Sequence, residues 1–491
     1  MKILFQLIYL STPHFETELE LIADHLERGD DVYILTCQGE FGTCFANYWH
    51  QESQCMSCRA RCTKGLSLLG QHVNVMRYPF APQTRYSEIP DTISDFDTLK
   101  AFQVGKAQIG LGAASSLVTR MNGEHRIDTI RYRNEVATEL NTAYYVYKAF
   151  RQVLVELKPD LVYLFNGRFS TVLPALNACE ELNVPYLTHE RGGTLDRYQV
   201  VASGMPHSSV VTQKEVQSLR ERNPDVSYCS CAAKFFTDRR ARVEHSWYSF
   251  LNGQRVNVLP KTFDKAKKNI AIFNSTIEEF IAIRDWGDHI RIYRDEIEAL
   301  SEICSAFAHD PFYHFFLRVH PNLKGREISQ TREIRALIGR FANLTIIPPE
   351  SEVDSYALME QSAVTVTFGS TIGVEASYWG KPSVLLGRAL YEDLDCVYTP
   401  HSRREVVELL HSDLPPKSRS NALKYGFWEL KHGKLFRRYK PESLTAGTFM
   451  GTRIEPSLPR RVWIAMYRAL ENFESRWLVS VGSKICPSGK S

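Results

Sequence analysis

The sequence predicts an α/β protein with two domains, each built on a parallel β-sheet, that face one another across a cleft. Short apolar runs bounded by turn residues alternate with longer segments of helical periodicity, which is typical of βαβ units. The alternation stops between Asn252 and Lys268 and then resumes. The 491 residues suffice for two or three domains, at roughly 100–200 residues per domain.

The first half predicts a nucleotide-binding type of α/β unit. Helix Phe15–Arg28 is amphipathic and is followed by Gly29 where a C-cap is expected. We predict strands at Ile3–Leu10, Asp31–Thr36, Leu161–Phe165 and Pro185–Thr188, a further helix at Thr171–Leu182, and a helical stretch over Thr98–Leu157.

The second half repeats the alternation and predicts a second Rossmann-like unit. We predict strands at Ile270–Phe273, Tyr313–Val319, Leu344–Ile347, Val364–Phe368 and Ser383–Leu386, and helices at Asp295–His309, Thr331–Phe341, Ser355–Gln361 and Ile372–Trp379. The expected domains are residues 1–255 and 256–455, and in 456–491 helix Arg460–Phe473 crosses back. Ligands of such folds bind at the carboxyl ends of the strands.

Composition excludes several classes of protein. With 59 Lys+Arg against 56 Asp+Glu, the net charge of +3 gives no broad field for nucleic acid. Gln6 interrupts the apolar start and Pro13 ends it, so a strand is favoured over a signal peptide. No run is long enough to span a membrane. The odd count of 11 cysteines favours a reducing, cytoplasmic location. The basic stretch Lys431–Lys440 could meet anionic lipid at the inner face of a membrane, or could simply be solvated.

The segment Arg318-Val319-His320-Pro321 follows a predicted strand and presents a histidine to the cleft. Proline fixes the turn, and the imidazole could donate to a phosphate oxygen. Arg318 could add positive charge or could face the sheet. An ordinary loop histidine is the alternative.

A second anion site is predicted at Gly369-Ser370-Thr371, after strand Val364–Phe368 and at the start of a helix. Hydroxyls and free backbone N–H groups at such a position bind anions, although any helix can have a Ser/Thr N-cap. Glu375 could accept from a sugar or ribose hydroxyl, or could favour the helix dipole. Asn274 and Ser275, at the end of Ile270–Phe273, could line the same donor site.

A His-Pro motif followed about fifty residues later by a Ser-Thr helix start resembles the GT-B glycosyltransferases of bacterial surface polysaccharide synthesis. These include the capsule group, the CMP-sugar-using sialyl- and Kdo-type transferases and the CDP-glycerol polymerases. The wording of residues 369–382 looks most like the capsule group. The resemblance implies a GT-B fold without a catalytic metal, a CMP- or UDP-linked sugar donor, and a phosphate-binding role for His320, Ser370 and Thr371.

The sequence departs from the sialyltransferases in lacking an acidic Asp/Glu-Asp/Glu-Gly triplet in its first half. We expect the acceptor base there instead, with Glu190 in His189-Glu190-Arg191-Gly192-Gly193 as the candidate. The expected acceptor-binding residues are His14, Asn166, Arg168 and Arg191. A Glu190–Arg191 surface pair is the alternative.

Five cysteines fall between positions 37 and 62, with one C-x-x-C at 55–58. Cys37, Cys44, Cys55 and Cys58 could hold a structural zinc; an iron–sulfur cluster or free buried thiols are the alternatives.

These patterns together predict a transferase that moves a sugar to a glycan or lipid-linked glycan acceptor, with peripheral membrane association. A nucleotide-sugar 2-epimerase and a non-catalytic subunit of an assembly complex are the alternatives.

Overall fold

The computed structural model describes residues 1–222, 227–243, 251, 253–286, 289–469 and 471. Its strands are β1 Lys2–Leu7, β2 Asp31–Thr36, β3 Asn74–Arg77, β4 Leu161–Phe165, β5 Tyr186–Arg191, β6 Arg197–Ala202, β7 Lys268–Phe273, β8 Tyr313–Arg318, β9 Leu344–Ile347, β10 Val364–Thr367, β11 Ser383–Leu385, β12 Lys434–Leu435, β13 Tyr439–Ser443 and β14 Ala446–Phe449. Its helices are α1 His14–Glu27, α2 Glu52–Ser67, α3 Phe96–Ala101, α4 Ile109–Arg120, α5 Arg133–Leu157, α6 Leu173–Leu182, α7 Ser209–Glu221, α8 Ser227–Arg240, α9 Glu296–Ala306, α10 Ser329–Arg335, α11 Ser355–Gln361, α12 Ile372–Tyr378, α13 Arg403–His411 and α14 Arg419–Lys431.

The first sheet has seven strands in the order β12-β6-β5-β4-β1-β2-β3. The five strands from β5 to β3 run parallel, whereas β6 returns antiparallel to β5 and β12 antiparallel to β6. The central strands are buried on both faces because helices cover them, which explains their continuous apolar sequence. The order reverses at β1, between β2 and β4, and the cleft opens there.

The second sheet has five parallel strands in the order β11-β10-β7-β8-β9. Its order reverses at β7, so the carboxyl ends of β7, β8 and β10 meet at one edge. The two-domain α/β fold predicted from the sequence is therefore confirmed.

The C-terminal segment differs from the expected division of the chain. Residues 434–454 lie on the first unit: β12 extends the first sheet, and Tyr439, Phe449 and Ile454 join the core beside α1. The return of the chain thus begins before residue 456. A helix is described over 458–469, and the remainder of the predicted Arg460–Phe473 helix lies partly outside the described residues.

Helix α1 explains why the C-terminal segment returns. Its glutamates 16, 18 and 20 are each no more than 1% exposed, and a buried carboxylate needs a partner. The partners come from three distant segments: Arg61 for Glu16, His189 for Glu18 and Arg438 for Glu20. Arg437 and Arg438 also pair with Asp24 and Glu27, so this part of the basic stretch binds the protein's own helix.

No helix in the described part of the chain is long and apolar enough to cross a membrane.

Replacing Arg438 by alanine should lower the free energy of unfolding by about 3 kcal/mol, because the carboxylate of Glu20 remains buried without its cation. The control is Arg437→Ala, which removes a guanidinium that is 64% exposed and should cost less than about 1 kcal/mol. Urea denaturation measures both. Equal losses would contradict the role given to Arg438.

Candidate functional site

A cavity of about 130 Å³ lies at the carboxyl edge of the second sheet. It is lined by residues that follow three neighbouring strands: Asn274 after β7, His320 after β8, and Ser370 and Thr371 after β10. Gly193, which follows β5 of the first sheet, and Glu429 of α14 also line it. The predicted donor-side residues therefore come together, and the first unit contributes to the same cavity.

His320 is held in the cavity wall by two asparagines, Asn274 and Asn322. Its backbone N–H donates to Asn274 Oδ1 at 2.8 Å, and its Nδ1 accepts from the Asn322 backbone N–H at 3.2 Å. Burial, with Arg318, Arg239 and Arg326 nearby, lowers the pKa of His320 to about 4. The ring is therefore neutral at pH 7, and because Nδ1 accepts, the proton lies on Nε2.

Arg239 of α8 reaches the start of α12. Its Nε donates to Glu375 Oε1 and its Nη2 to Thr371 Oγ1, both at 3.0 Å. Glu375, which is 1% exposed, also accepts from Thr371 and from the hydroxyl of Tyr356. The hydrogen-bond partners of Glu375 thus come from within the protein. Its carboxylate positions Arg239 and does not have the expected role of accepting from a sugar hydroxyl.

Arg318 lines the cavity but is committed to the backbone. It is 2% exposed, and its guanidinium donates to the carbonyl oxygens of Pro348 and Ser351 at 2.5 and 3.4 Å. Burial lowers its pKa to about 10, so it stays charged at pH 7. Burial also raises the pKa of Glu429. The cavity wall thus carries two arginines, Arg239 and Arg318, together with the acidic side chains of Glu375 and Glu429.

Ser275 lies behind this cavity rather than in its wall. Its backbone N–H donates to Glu296 at 3.2 Å, and its carbonyl accepts from Gln330. Burial raises the pKa of Glu296 to about 7. These contacts hold the turn after β7 that presents Asn274.

A second cluster lies at the carboxyl edge of the first sheet, around Glu190. Glu190 Oε1 lies 3.3 Å from His14 Nδ1 and accepts from the Arg191 backbone N–H at 2.9 Å. Its Oε2 accepts from Asn166 Nδ2 at 2.6 Å and lies 3.6 Å from His207 Nε2. The cluster therefore joins the residues that follow β1, β4 and β6 to the end of β5.

Electrostatics fix the protonation of this cluster. Burial alone would raise the pKa of Glu190, but His14, His207 and the Arg191 N–H hold it well below its ordinary value. Burial lowers the pKa of His14 to about 4. A neutral imidazole thus faces a carboxylate through Nδ1. Among the described residues its Nε2 has no hydrogen-bond partner, and this nitrogen is not fully buried.

The two predicted arginines of the first unit lie in different places. Arg168 lies in the cleft, where burial lowers its pKa and the carboxylates of Glu190, Glu278 and Glu279 act in the opposite direction. Arg191 points away from Glu190 and donates to the carbonyl oxygens of Leu444 and Thr12. The physical reason is that β5 continues to Arg191, and neighbouring side chains of a strand point to opposite faces.

In the described part of the chain, no three His, Cys, Asp or Glu side chains are arranged to hold a metal ion, and the structural zinc stays a prediction. Four of the thiols line a cavity between the loop that follows β2 and helix α2: Cys37, Cys44, Cys55 and Cys58. Two of the thiols accept hydrogen bonds from within the protein, Cys37 from Gly39 and Cys55 from Asn47.

Arg239 and His207 are site residues that the sequence analysis missed. Neither belongs to a motif, and neither follows a predicted strand. An arginine near the end of a helix carries no local signal of its role.

No protein-family model and no curated protein sequence matches this chain. Among solved structures, the β-Kdo 2,7-transferase KpsC of Thermosulfurimonas dismutans is 16% identical, with a TM-score of 0.34 over 57% of this chain and 80% of that one. A structure of S. aureus MnaA with UDP is 11% identical, with a TM-score of 0.27 over 88% and 92%. The UDP-GlcNAc 2-epimerase of Neisseria meningitidis is 14% identical, with a TM-score of 0.23 over 92% and 96%. At these values the fold assignment depends on the strand orders given above.

Proposed function

We propose that this protein is a glycosyltransferase of the GT-B type that moves a sugar from a CMP- or UDP-linked donor to a hydroxyl of a surface glycan acceptor. The observation that carries the proposal is the cavity where His320, Ser370, Thr371 and Arg239 converge. A hydroxyl-lined cavity that holds two arginines at the carboxyl edge of a parallel sheet suits a nucleotide phosphate.

On the donor side, His320 Nε2–H and the hydroxyl of Ser370 would donate to the leaving phosphate, and Arg239 would offset its charge. Pre-arranged donors of this kind stabilise charge that develops in the transition state. Because these groups supply the stabilisation, we expect turnover to persist in the presence of a chelator of divalent metals.

On the acceptor side, His14 would be the general base and Glu190 the group that orients it. The acceptor hydroxyl would give its proton to His14 Nε2 while its oxygen bonds to the anomeric carbon. The bond from that carbon to the phosphate oxygen breaks, and the nucleotide leaves with the electron pair. The pKa of Glu190 is held well below its ordinary value, so its carboxylate is a weak base. This favours His14 over Glu190 as the general base.

His320→Ala should reduce donor turnover by about 10²–10³-fold, the usual effect of losing one donor to a developing anion. The matched control is His314→Ala on β8, the strand that precedes His320, because His314 hydrogen-bonds Thr345 outside the cavity. Turnover is measured by release of the nucleotide. Unchanged turnover in His320→Ala would contradict the assignment.

Turnover by the wild-type enzyme should persist down to about pH 5 and fall as pH decreases through about 4, because His14 is neutral above its lowered pKa.

Glu190→Gln should lower kcat about 10²–10⁴-fold, since His14 loses the carboxylate that orients it. The control is Glu181→Gln on α6, whose carboxylate pairs with Arg151 of α5. A pH–rate profile with its acidic limit near 6.5 would exclude His14 in this state.

Donor identity is tested by the thermal shift of the protein with CMP-, UDP-, GDP- and CDP-linked sugars, because a ligand of the folded state raises its stability. We expect stabilisation by a CMP- or UDP-linked sugar and little by the others. Inversion of a UDP-sugar at C2 without any acceptor, observed by NMR, would contradict transfer and assign the protein as an epimerase.

A further inference from the structure

Helix α14 places a carboxylate in the wall of the donor cavity that the proposed phosphate site does not use. Glu429 lines this cavity together with Arg239 and Gly193. Tyr425 lies one turn earlier on the helix, and its hydroxyl donates to Glu429 Oε1 at 2.5 Å. Within the described part of the chain the carboxylate has no ion pair and no second donor. Its Oε2 is not fully buried and can therefore accept from a ligand.

Packing fixes the orientation of this carboxylate. Tyr425 is 2% exposed, and its ring lies 5.8 Å from that of Phe235 and 5.6 Å from that of Tyr391, centroid to centroid. Helices α8 and α14 approach so closely at Gly426 that a β-carbon there would lie 2.7 Å from a backbone oxygen of α8. The hydroxyl of Tyr425 is thus held in place, and Glu429 Oε1 stays bound to it.

The same contact between helices sets Glu429 beside Arg239. Phe236 of α8 meets Gly426 of α14, and three residues further along each helix lie Arg239 and Glu429. Burial raises the pKa of Glu429, whereas the Tyr425 hydroxyl and the charge of Arg239 oppose that rise. Because Arg239 is the proposed partner of the donor phosphate, a group attached to that phosphate comes within reach of Glu429.

Two groups are attached to the phosphates of a nucleotide sugar, the ribose and the transferred sugar. Glu429 lies where the first unit meets the cavity, because its carbonyl oxygen contacts Gly193 and leaves no room for a β-carbon there. Gly193 follows Glu190 of the acceptor cluster by three residues. The transferred sugar must lie between the phosphate and the acceptor, so the wall that carries Glu429 faces the sugar rather than the ribose.

We propose that Glu429 determines donor specificity by accepting, through Oε2, a hydrogen bond from a hydroxyl group of the transferred sugar. The donor class is thereby narrowed to sugars that present a hydroxyl toward α14, because a deoxy sugar would leave the carboxylate oxygen without a donor. The inference rests on the proposed function in that the cavity holds a nucleotide sugar, but it requires no transfer.

The test compares nucleotides with the corresponding nucleotide sugars. Full-length protein is titrated calorimetrically with UDP, UDP-N-acetylglucosamine, CMP and CMP-N-acetylneuraminate. Wild-type protein should bind at least one of these nucleotide sugars. Glu429→Gln should weaken that binding about 10-fold, since a hydrogen bond to a charged group is lost, and should leave binding of the corresponding nucleotide unchanged within about twofold.

A matched control is Glu215→Gln on α7. The carboxylate of Glu215 accepts from Trp428, the residue that precedes Glu429, at 3.1 Å and does not line the cavity. This variant should bind all four compounds as the wild type does. Circular dichroism and cooperative unfolding check that both variants are folded.

Three results would overturn the proposal. The first is equal weakening of the nucleotide and the nucleotide sugar in folded Glu429→Gln, which would assign the residue to the ribose or the phosphate. The second is unchanged binding of both compounds in that variant. The third is the absence of binding of all four compounds to the wild-type protein.

Activity separates this inference from the proposed function. A loss confined to the nucleotide sugar in Glu429→Gln, without transfer to any acceptor by the wild type, would contradict the glycosyltransferase assignment and leave the sugar contact standing. Transfer by Glu429→Gln with the kcat and donor KM of the wild type would support the transferase and overturn the contact.

Discussion

The arrangement of the first unit depends on the burial of three glutamates on one helix. Positions 16, 18 and 20 of α1 lie in the interior, and each needs a partner that compensates for lost hydration. One partner lies on α2, one on β5 and one near the end of the described chain. The helix is thus fixed from three sides, and His14 at its first residue is fixed with it.

The pair of Glu18 and His189 shows how burial determines the form of these contacts. Burial raises the pKa of Glu18 well above its ordinary value and lowers that of His189 to about 3. His189 is therefore neutral at pH 7, and its Nε2 lies 3.2 Å from Glu18 Oε1. The neighbouring Glu190 stays ionised because it has two histidines, an amide and a backbone N–H around it. His189 and Glu190, adjacent residues of β5, thus differ in charge at pH 7, since the imidazole is neutral and the carboxylate is ionised.

Much of this fold could be predicted from sequence periodicity. Strands such as Asp31–Thr36, Leu161–Phe165 and Leu344–Ile347 are confirmed at both ends because each is a largely apolar run between turn residues. The donor-side residues were predictable because each follows such a strand. Strand β6 was not predicted, since its sequence RYQVVA mixes polar and apolar residues at the sheet's end. Because β6 was not recognised, residues His189–Arg191 were interpreted as part of a loop, with Glu190 and Arg191 on the same surface.

The two-stranded contact between β12 and β6 affects how the chain can be divided. Leu435 pairs with Arg197, and Arg438 a few residues later reaches Glu20. A fragment ending near residue 255 would expose the free backbone of β6 and would leave Glu20 buried without its cation. Exposed strand edges recruit other strands, so such a fragment would tend to self-associate. The two α/β units are separate as sheets, and this return segment ties the end of the second unit to the first.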